Sequence, residues 1–142
     1  MRKMHEGKVS GSEEVVVWGT GTAKREFLHV DDLADAAIYL MEVYAGEEHV
    51  NVGTGCDISI SELARALKKV IGFRGRLAYD RTMPDGAPRK LLDVTRLARL
   101  GWQAKIELRA GLADTYRWFL GALESSSGRA AFSRQGVSSD TA

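Results

Sequence analysis

Apolar and polar positions along the chain predict short strands that alternate with helices. Residues 15–18 form an apolar run of the length expected for a buried strand, and the glycine-containing turn of residues 19–22 follows it. Residues 25–30 predict a second short extended segment. Asp31 and Asp32 come next, and such side chains commonly cap the first turn of a helix. We therefore expect a helix to begin at this acidic pair.

That helix has the clearest pattern in the sequence. Its apolar side chains recur at helical spacing along one face, at Leu33, Ala36, Ala37, Leu40, Met41 and Tyr44. Gly46 is expected to end the helix. Residues 49–52 then predict a short strand that leads into a second glycine turn at residues 53–55.

A second helix is marked by its first and last residues. Ser59 and Glu62 have the spacing of a capping box, and Gly72 occupies the position that commonly ends a helix. Residues 76–79 predict a strand. The segment 84–90 follows and contains both prolines, which exclude a helix interior or a central strand. We expect it to form a stiff loop.

The last third of the chain predicts two more helices. Asp93 is expected to cap a short helix that runs through Leu100, and a longer helix is expected from about residue 107 to 123. Ser, Gly, Gln and Arg dominate after that, so residues 125–142 are expected to form a disordered tail. The pattern predicts an α/β domain over residues 1–124.

Composition limits the classes of function. The chain has 142 residues, 44% of them apolar and 27% charged, which fits one globular domain. Its net charge of +1 argues against a general binder of nucleic acid or membrane surfaces. Cys56 is the only cysteine, so an intrachain disulfide is excluded and a reducing compartment is expected. The sequence shows no signal-peptide core, and we expect a cytoplasmic protein.

The proline-containing loop carries the first candidate chemistry. It presents Asp85, Arg89 and Lys90, which could hold a polyanionic ligand or form a solvated turn. Two further candidates lie near the first glycine turn. Trp18 is either a core residue or a ring available to a sugar or base, and Arg25 is either a surface cation or a bidentate phosphate ligand.

Patterns for complete catalytic or cofactor sites are absent from the sequence. A dinucleotide fingerprint needs a third glycine, but Lys24 and Ile58 occupy the two positions where it would lie. None of the four tyrosines has a lysine four residues later, as short-chain reductases require. The histidines lack the spacing of a metal site; His29 is expected to be structural, and Cys56 to be an inert thiol.

Three runs of residues resemble the GDP-L-fucose synthase family of extended short-chain dehydrogenases/reductases. They are VVVWGTGTAKREFLHVDDLA at 15–34, HVNVGTG at 49–55 and PDGAPRKLLDV at 84–94. The first run is shared more loosely with other nucleotide-sugar epimerases. The third is more specific to this family, and the resemblance extends in order to about residue 123.

The resemblance implies the C-terminal, substrate-binding portion of such an enzyme, without most of the Rossmann domain. The family converts GDP-4-keto-6-deoxy-D-mannose to GDP-L-fucose with NADP, and its catalytic residues and main cofactor site precede the matched region. By resemblance Met1 would lie inside a helix, so a truncated or split gene is expected. The missing Rossmann portion would be a partner, and the family is homodimeric.

By resemblance, the family's substrate-contacting residues correspond to Lys3, Trp18, Arg25 and Asp85, with Lys90 as a weaker candidate. Lys3 stands where the family would have arginine, so planar bidentate geometry is lost there. We expect the chain to bind a GDP-sugar and to be inactive alone. The alternatives are a fragment of another nucleotide-sugar epimerase or dehydratase, and a non-catalytic interaction module or gene remnant.

Overall fold

The computed structural model describes the backbone of residues 1–135 and the side chains of residues 1–125. The fold is a mixed α/β arrangement, as predicted. The helices are α1 (Arg2–Ser10), α2 (Val30–Val43), α3 (Ile60–Ile71), α4 (Thr95–Arg99) and α5 (Leu108–Gln135). The strands are β1 (Glu14–Trp18), β2 (Lys24–Glu26), β3 (Asp57–Ser59), β4 (Arg76–Asp80) and β5 (Arg89–Lys90).

The strands form two small sheets. β1 and β4 pair in parallel, with Trp18 opposite Asp80 at their carboxyl ends. The second sheet has the order β3-β2-β5, in which β2 is antiparallel to β3 and parallel to β5. The carboxyl ends of β1 and β4 therefore meet at one edge, the position where open α/β sheets commonly bind ligands.

Two apolar clusters hold these elements together. The first joins α1, β1, α3 and α5 through Met4, Val15, Ala64, Ile71, Phe73 and Tyr116. The second joins α2 to α4 and to the segment after it through Ala36, Leu97 and Trp102. In the first cluster α1 crosses close to β1, because a Cβ added to Gly7 would lie 2.9 Å from a methyl group of Val15.

The predicted capping box of α3 is confirmed. The Glu62 amide donates to Ser59 Oγ over 3.1 Å, and the Ser59 amide donates to Glu62 Oε2 over 2.8 Å. Gly72 ends the helix with φ 73°, a left-handed conformation that residues with a Cβ rarely adopt. Local sequence therefore determines both ends of α3.

The predicted capping of α2 by Asp31 or Asp32 is wrong. The N-cap is His29, whose Nδ1 accepts a hydrogen bond from the Asp31 amide over 3.3 Å. Asp32 is 3% exposed and accepts hydrogen bonds from the amides of Lys105 and Ile106. Its carboxylate thus ties α2 to the segment that enters α5. The helix ends with Tyr44 as its C-cap rather than at Gly46.

Three other predictions differ from the structure. Residues 49–52 are not a strand. Arg89 and Lys90 belong to β5 rather than to the loop, which is confined to the residues before them. The N-cap of α4 is Val94, although Asp93 Oδ1 still accepts a hydrogen bond from the Thr95 amide over 2.9 Å.

Helix α5 extends past the predicted end at residue 123 and reaches Gln135. The tail predicted over residues 125–142 overlaps this end, and residues 136–142 lie outside the described part of the chain, so the tail stays a prediction. None of the helices in the described part of the chain combines the length and the apolar character that a membrane span requires.

Candidate functional site

Trp18 lies at the carboxyl end of the parallel pair β1 and β4, with its ring largely in solvent. The side chain is 64% exposed, which excludes the core-packing alternative. The next residue, Gly19, has φ 80° and donates its amide to the carbonyl of Asp80 over 2.8 Å. The chain therefore turns sharply after Trp18 while it remains attached to β4.

Lys3 reaches the same indole ring from α1. Its Nζ lies 5.0 Å from the centroid of the Trp18 ring, within the range of a cation–π contact. The α1 helix is held in place by Met4, which is 5% exposed and belongs to the first apolar cluster. Lys3 and Trp18, two of the predicted site residues, are thus adjacent on one surface.

Asp85 attaches the proline-containing loop to the turn after Trp18. Its Oδ1 accepts the amide of Thr20 over 2.7 Å, and its Oδ2 accepts the hydroxyl of Thr20 over 2.6 Å. These two bonds hold the pKa of the Asp85 carboxyl below its usual value, and the hydroxyl bond has a larger effect than the amide bond. A Cβ at Gly19 would lie 2.2 Å from Asp85 Oδ1, so the close approach requires glycine there.

Arg25, on β2, also contacts this loop. Its Nη2 is 3.5 Å from the Asp85 carbonyl oxygen, and its Nη1 donates to the carbonyl of Lys24 over 2.6 Å. Strand pairing places Lys90 opposite Arg25 in the parallel pair of β2 and β5. Arg89 is different, because it forms an ion pair with the nearly buried Asp57. Both cations are exposed, but Arg89 is held in this ion pair, whereas Lys90 has no ion pair among the described residues.

Of the five predicted residues, Lys3 lies on α1, and the other four lie at the end of β1, in the loop and on β2 and β5. The structure links Lys3 to Trp18, Asp85 to the turn, and Arg25 to both the loop and Lys90. An exposed ring with three cations could hold an anionic, ring-containing ligand. These side chains are suited to bind a ligand, and they do not form a pair that would transfer a proton.

The glycine turns do not fit a dinucleotide cofactor. In the first turn the Thr20 amide already binds the Asp85 carboxylate. In the second, the amides of Thr54 and Gly55 both donate to Glu26 Oε1 over 2.6 Å. An anionic side chain of the protein thus occupies the position that a phosphate would need in each turn.

Sequence reasoning missed Thr20, whose partner Asp85 lies 65 positions away. It also missed Glu26, whose partners Thr54, Gly55 and Leu92 lie 28, 29 and 66 positions away. It also missed a cavity of about 470 Å³ that Arg25 lines together with Phe27, Cys56 and Leu97. No spacing in the sequence indicates this cavity, because its walls come from separate segments.

His29 is mostly buried, with 8% of its side chain exposed, and its Nε2 lies 3.6 Å from a carboxylate oxygen of Asp114. Asp31 is also near the ring. The capping bond from the Asp31 amide accounts for the placement of His29. The structural role predicted for this residue agrees with that contact.

Comparison with known proteins identifies the relatives of this chain. Residues 1–53 match the model of the NAD dependent epimerase/dehydratase family. GDP-L-fucose synthase 1 of Arabidopsis thaliana is 59% identical over 120 residues, which are 84% of this chain and 37% of that protein. GDP-L-fucose synthase of Escherichia coli is 53% identical over 130 residues, covering 84% and 40%.

Comparison with solved structures finds the same kind of relative as comparison of sequences. The crystal structure of a GDP-L-fucose synthetase from Naegleria fowleri bound to NADP matches with a TM-score of 0.81 and 26% identity. The match covers 87% of this chain and 39% of that one. The chain therefore spans well under half the length of the relatives it matches. Within the extended short-chain dehydrogenase/reductase fold, it is a relative of part of the GDP-L-fucose synthases.

Proposed function

We propose that this chain binds the GDP portion of a GDP-sugar on the surface formed by Lys3, Trp18, Arg25, Asp85 and Lys90. The observation that carries the proposal is the exposed indole with Lys3 over its ring at the carboxyl end of β1. Asp85 joins the turn that follows to the loop that Arg25 contacts. The ring stacks on the base or the sugar, and the cations bind the diphosphate. The names of the relatives support GDP as the nucleotide.

Asp85 acts in this proposal as an oriented acceptor. Thr20 fixes both carboxylate oxygens, yet an ionised carboxylate has about four acceptor positions. The remaining lone pairs can accept hydrogen bonds from hydroxyl or amino groups of the ligand. Because Thr20 fixes the carboxylate before ligand arrives, little conformational freedom is lost on binding.

The reaction of the complete relatives is proposed to require a second portion. In this proposal the whole enzyme uses NADP to convert GDP-4-keto-6-deoxy-D-mannose to GDP-L-fucose. No Tyr-x3-Lys pair occurs in the sequence, and both glycine turns are closed by carboxylates of the chain itself. This chain therefore supplies substrate contacts, while cofactor and catalytic groups come from the other portion.

Substitution of Trp18 tests the site. Loss of base stacking costs about 1–3 kcal/mol, so Trp18→Ala should weaken GDP binding by about 5- to 150-fold in a calorimetric titration. Trp118→Ala is the matched control, since Trp118 is also exposed, at 72%, but lies on α5, which carries none of the five proposed site residues. Equal affinities for GDP in wild type and Trp18→Ala would remove the proposed site.

A further inference from the structure

An open cavity of about 940 Å³ lies between α3 and the start of α5, and we term it the α3–α5 groove. Its walls are formed by residues of α3 and of the segment after it, up to Arg74, and by residues 107–109. None of the five proposed site residues lines this groove. Its volume falls within the range of about 300–1,000 Å³ that is common for small-molecule sites.

The groove is lined by five cations from three separate segments. They are Arg65, Lys68 and Lys69 on α3, Arg74 in the segment after it, and Arg109 on α5. The three on α3 share one face of the helix, because the second and third lie three and four residues after the first. All five are exposed except Lys68, which is half-buried. Both walls of the groove therefore present positive charge.

The cations of the groove lack ion-pair partners. In the part of the chain that the structure describes, none of the five forms an ion pair, whereas five other Lys and Arg side chains do. Two carboxylates also line the groove, Glu62 and Glu107. Glu62 Oε2 already accepts the amide and the hydroxyl of Ser59, over 2.8 Å and 2.7 Å. Five cations against two carboxylates leave an excess of three positive charges.

The end of α3 explains only part of this charge. Lys68 and Lys69 lie in the last turn of the helix, where the negative end of the helix dipole favours cations. Arg74 and Arg109 lie outside α3, so this preference does not account for their convergence with the lysines. Like charges gathered from separate segments repel one another, and a bound counter-charge would offset that repulsion. The arrangement therefore favours an anionic ligand.

The chemistry of the lining favours phosphate groups. Three of the five cations are arginines, whose planar guanidinium group binds phosphate through two parallel hydrogen bonds. The one aromatic residue of the lining, Phe73, is 4% exposed and belongs to the first apolar cluster. Its ring is therefore not free to stack on a nucleobase. Recognition in this groove depends on phosphate charge rather than on stacking.

We infer that the α3–α5 groove is a binding site for a small anion that contains a chain of phosphate groups. Such an anion offsets the excess positive charge of both walls at once. Its source is either a free inorganic polyphosphate or the phosphate tail of a nucleotide. The inference is independent of the proposed function, because the groove and the proposed GDP surface have no residue in common.

Titration of inorganic tripolyphosphate into the 142-residue chain, followed by amide NMR, tests the inference. Signals of residues 65–74 and 107–109 report on the groove, and the indole signal of Trp18 reports separately on the proposed GDP surface. Salt at about 0.1 M limits the reach of non-specific attraction to about 10 Å. The groove signals should shift to saturation. A folded chain without a saturable shift at these residues would overturn the inference.

Neutral variants test which cations hold the anion. Arg65→Gln/Arg109→Gln removes one cation from each wall, so the affinity read from the groove signals should fall at least about tenfold. Lys69→Gln/Arg74→Gln is a second groove variant with the same expected loss. All four side chains are exposed, so we expect both variants to fold. Unchanged affinity in both groove variants would refute the assignment.

A control of equal charge separates the groove from attraction by net charge. Arg2→Gln/Arg99→Gln removes two exposed arginines that do not line the groove. Its affinity for tripolyphosphate should stay within about twofold of wild type, because salt screens distant exposed charges. If this control loses as much affinity as the groove variants, the attraction is general and the inference is wrong.

Two further ligands identify the source and the class of the anion. ATP that binds the groove no more tightly than tripolyphosphate indicates the free anion, and tighter binding of ATP indicates a nucleotide. Either result supports the inference if Arg65→Gln/Arg109→Gln weakens it. A polyglutamate peptide of equal net charge that binds the groove more tightly than tripolyphosphate would assign the groove to an acidic protein segment and overturn the inference.

Discussion

Replacement of Glu26 tests the physical account of how the second glycine turn is built. Glu26 Oε1 accepts the amides of Thr54 and Gly55 over 2.6 Å and the Thr54 hydroxyl over 3.2 Å. Glu26 Oε2 accepts the Leu92 amide over 3.1 Å. One carboxylate on β2 therefore holds the turn on one side and the segment after β5 on the other.

Hydrogen bonds to a charged group contribute about 1.5–3 kcal/mol each, and water recovers part of that when the group is removed. Glu26→Gln retains one oxygen but places an NH₂ group against one of the donors, so we expect a loss of about 2 kcal/mol in the free energy of unfolding. Glu26→Ala removes every acceptor and should cost about 3–4 kcal/mol.

Urea unfolding followed by far-UV circular dichroism measures these losses. The Gln variant carries the quantitative comparison, because 3–4 kcal/mol is a large part of the roughly 5–15 kcal/mol that stabilises a domain. Glu42→Gln is the control: it lies exposed on α2, and the described structure gives its side chain no hydrogen bond or ion pair. If Glu26→Ala stays within about 0.5 kcal/mol of wild type, the carboxylate does not hold the turn.

Three further predictions concern the loop, α3 and activity. Hydrogen bonds from Thr20 lower the pKa of Asp85, so the loop attachment should be intact above the usual carboxyl pKa and lost as pH falls through the lowered value. NMR of residues 84–88 as a function of pH should show this loss, and loop signals that do not change with pH would contradict it. Ser59→Ala should cost about 1 kcal/mol in urea unfolding, whereas an unchanged midpoint would deny the cap a role. The chain alone should not oxidise NADPH with GDP-4-keto-6-deoxy-D-mannose, and measurable turnover would disprove this.

Local signals in the sequence were sufficient where neighbouring residues determine the structure. The capping box and Gly72 predict α3 at both ends, because donor and acceptor lie three residues apart. The apolar run before Trp18 predicts β1, which the structure extends by one residue to Glu14. For these elements the competing influences of distant residues are small.

Predictions failed where distant residues compete for the same group. Asp32 does not cap α2, because the amides of Lys105 and Ile106 bind its carboxylate. Residues 49–52 have the sequence of a strand but no backbone partner in the described structure, and a strand is assigned only where its backbone is paired. A short window of sequence could predict neither the partners of Asp32 nor the missing partner of residues 49–52.

Features of the candidate site likewise divide into those that the sequence predicts and those that depend on contacts between distant residues. Resemblance to a family named all five residues, and chain order alone placed Trp18 and Arg25 near one glycine turn. That Thr20 orients Asp85 and that Lys3 lies over Trp18 depend on packing between α1, β1 and the loop. Exposure of Trp18 could not be read from its apolar neighbours, which predict a buried strand.

The central claim is that this surface recognises a guanine nucleotide diphosphate, and competition between nucleotides tests it most directly. GDP, UDP and dTDP are titrated calorimetrically into the 142-residue chain under one buffer and salt condition. We expect saturable binding of GDP with an affinity at least about tenfold higher than for the pyrimidine nucleotides, a difference of about 1.4 kcal/mol. Preference for UDP or dTDP, or absence of binding by a folded chain, would contradict it.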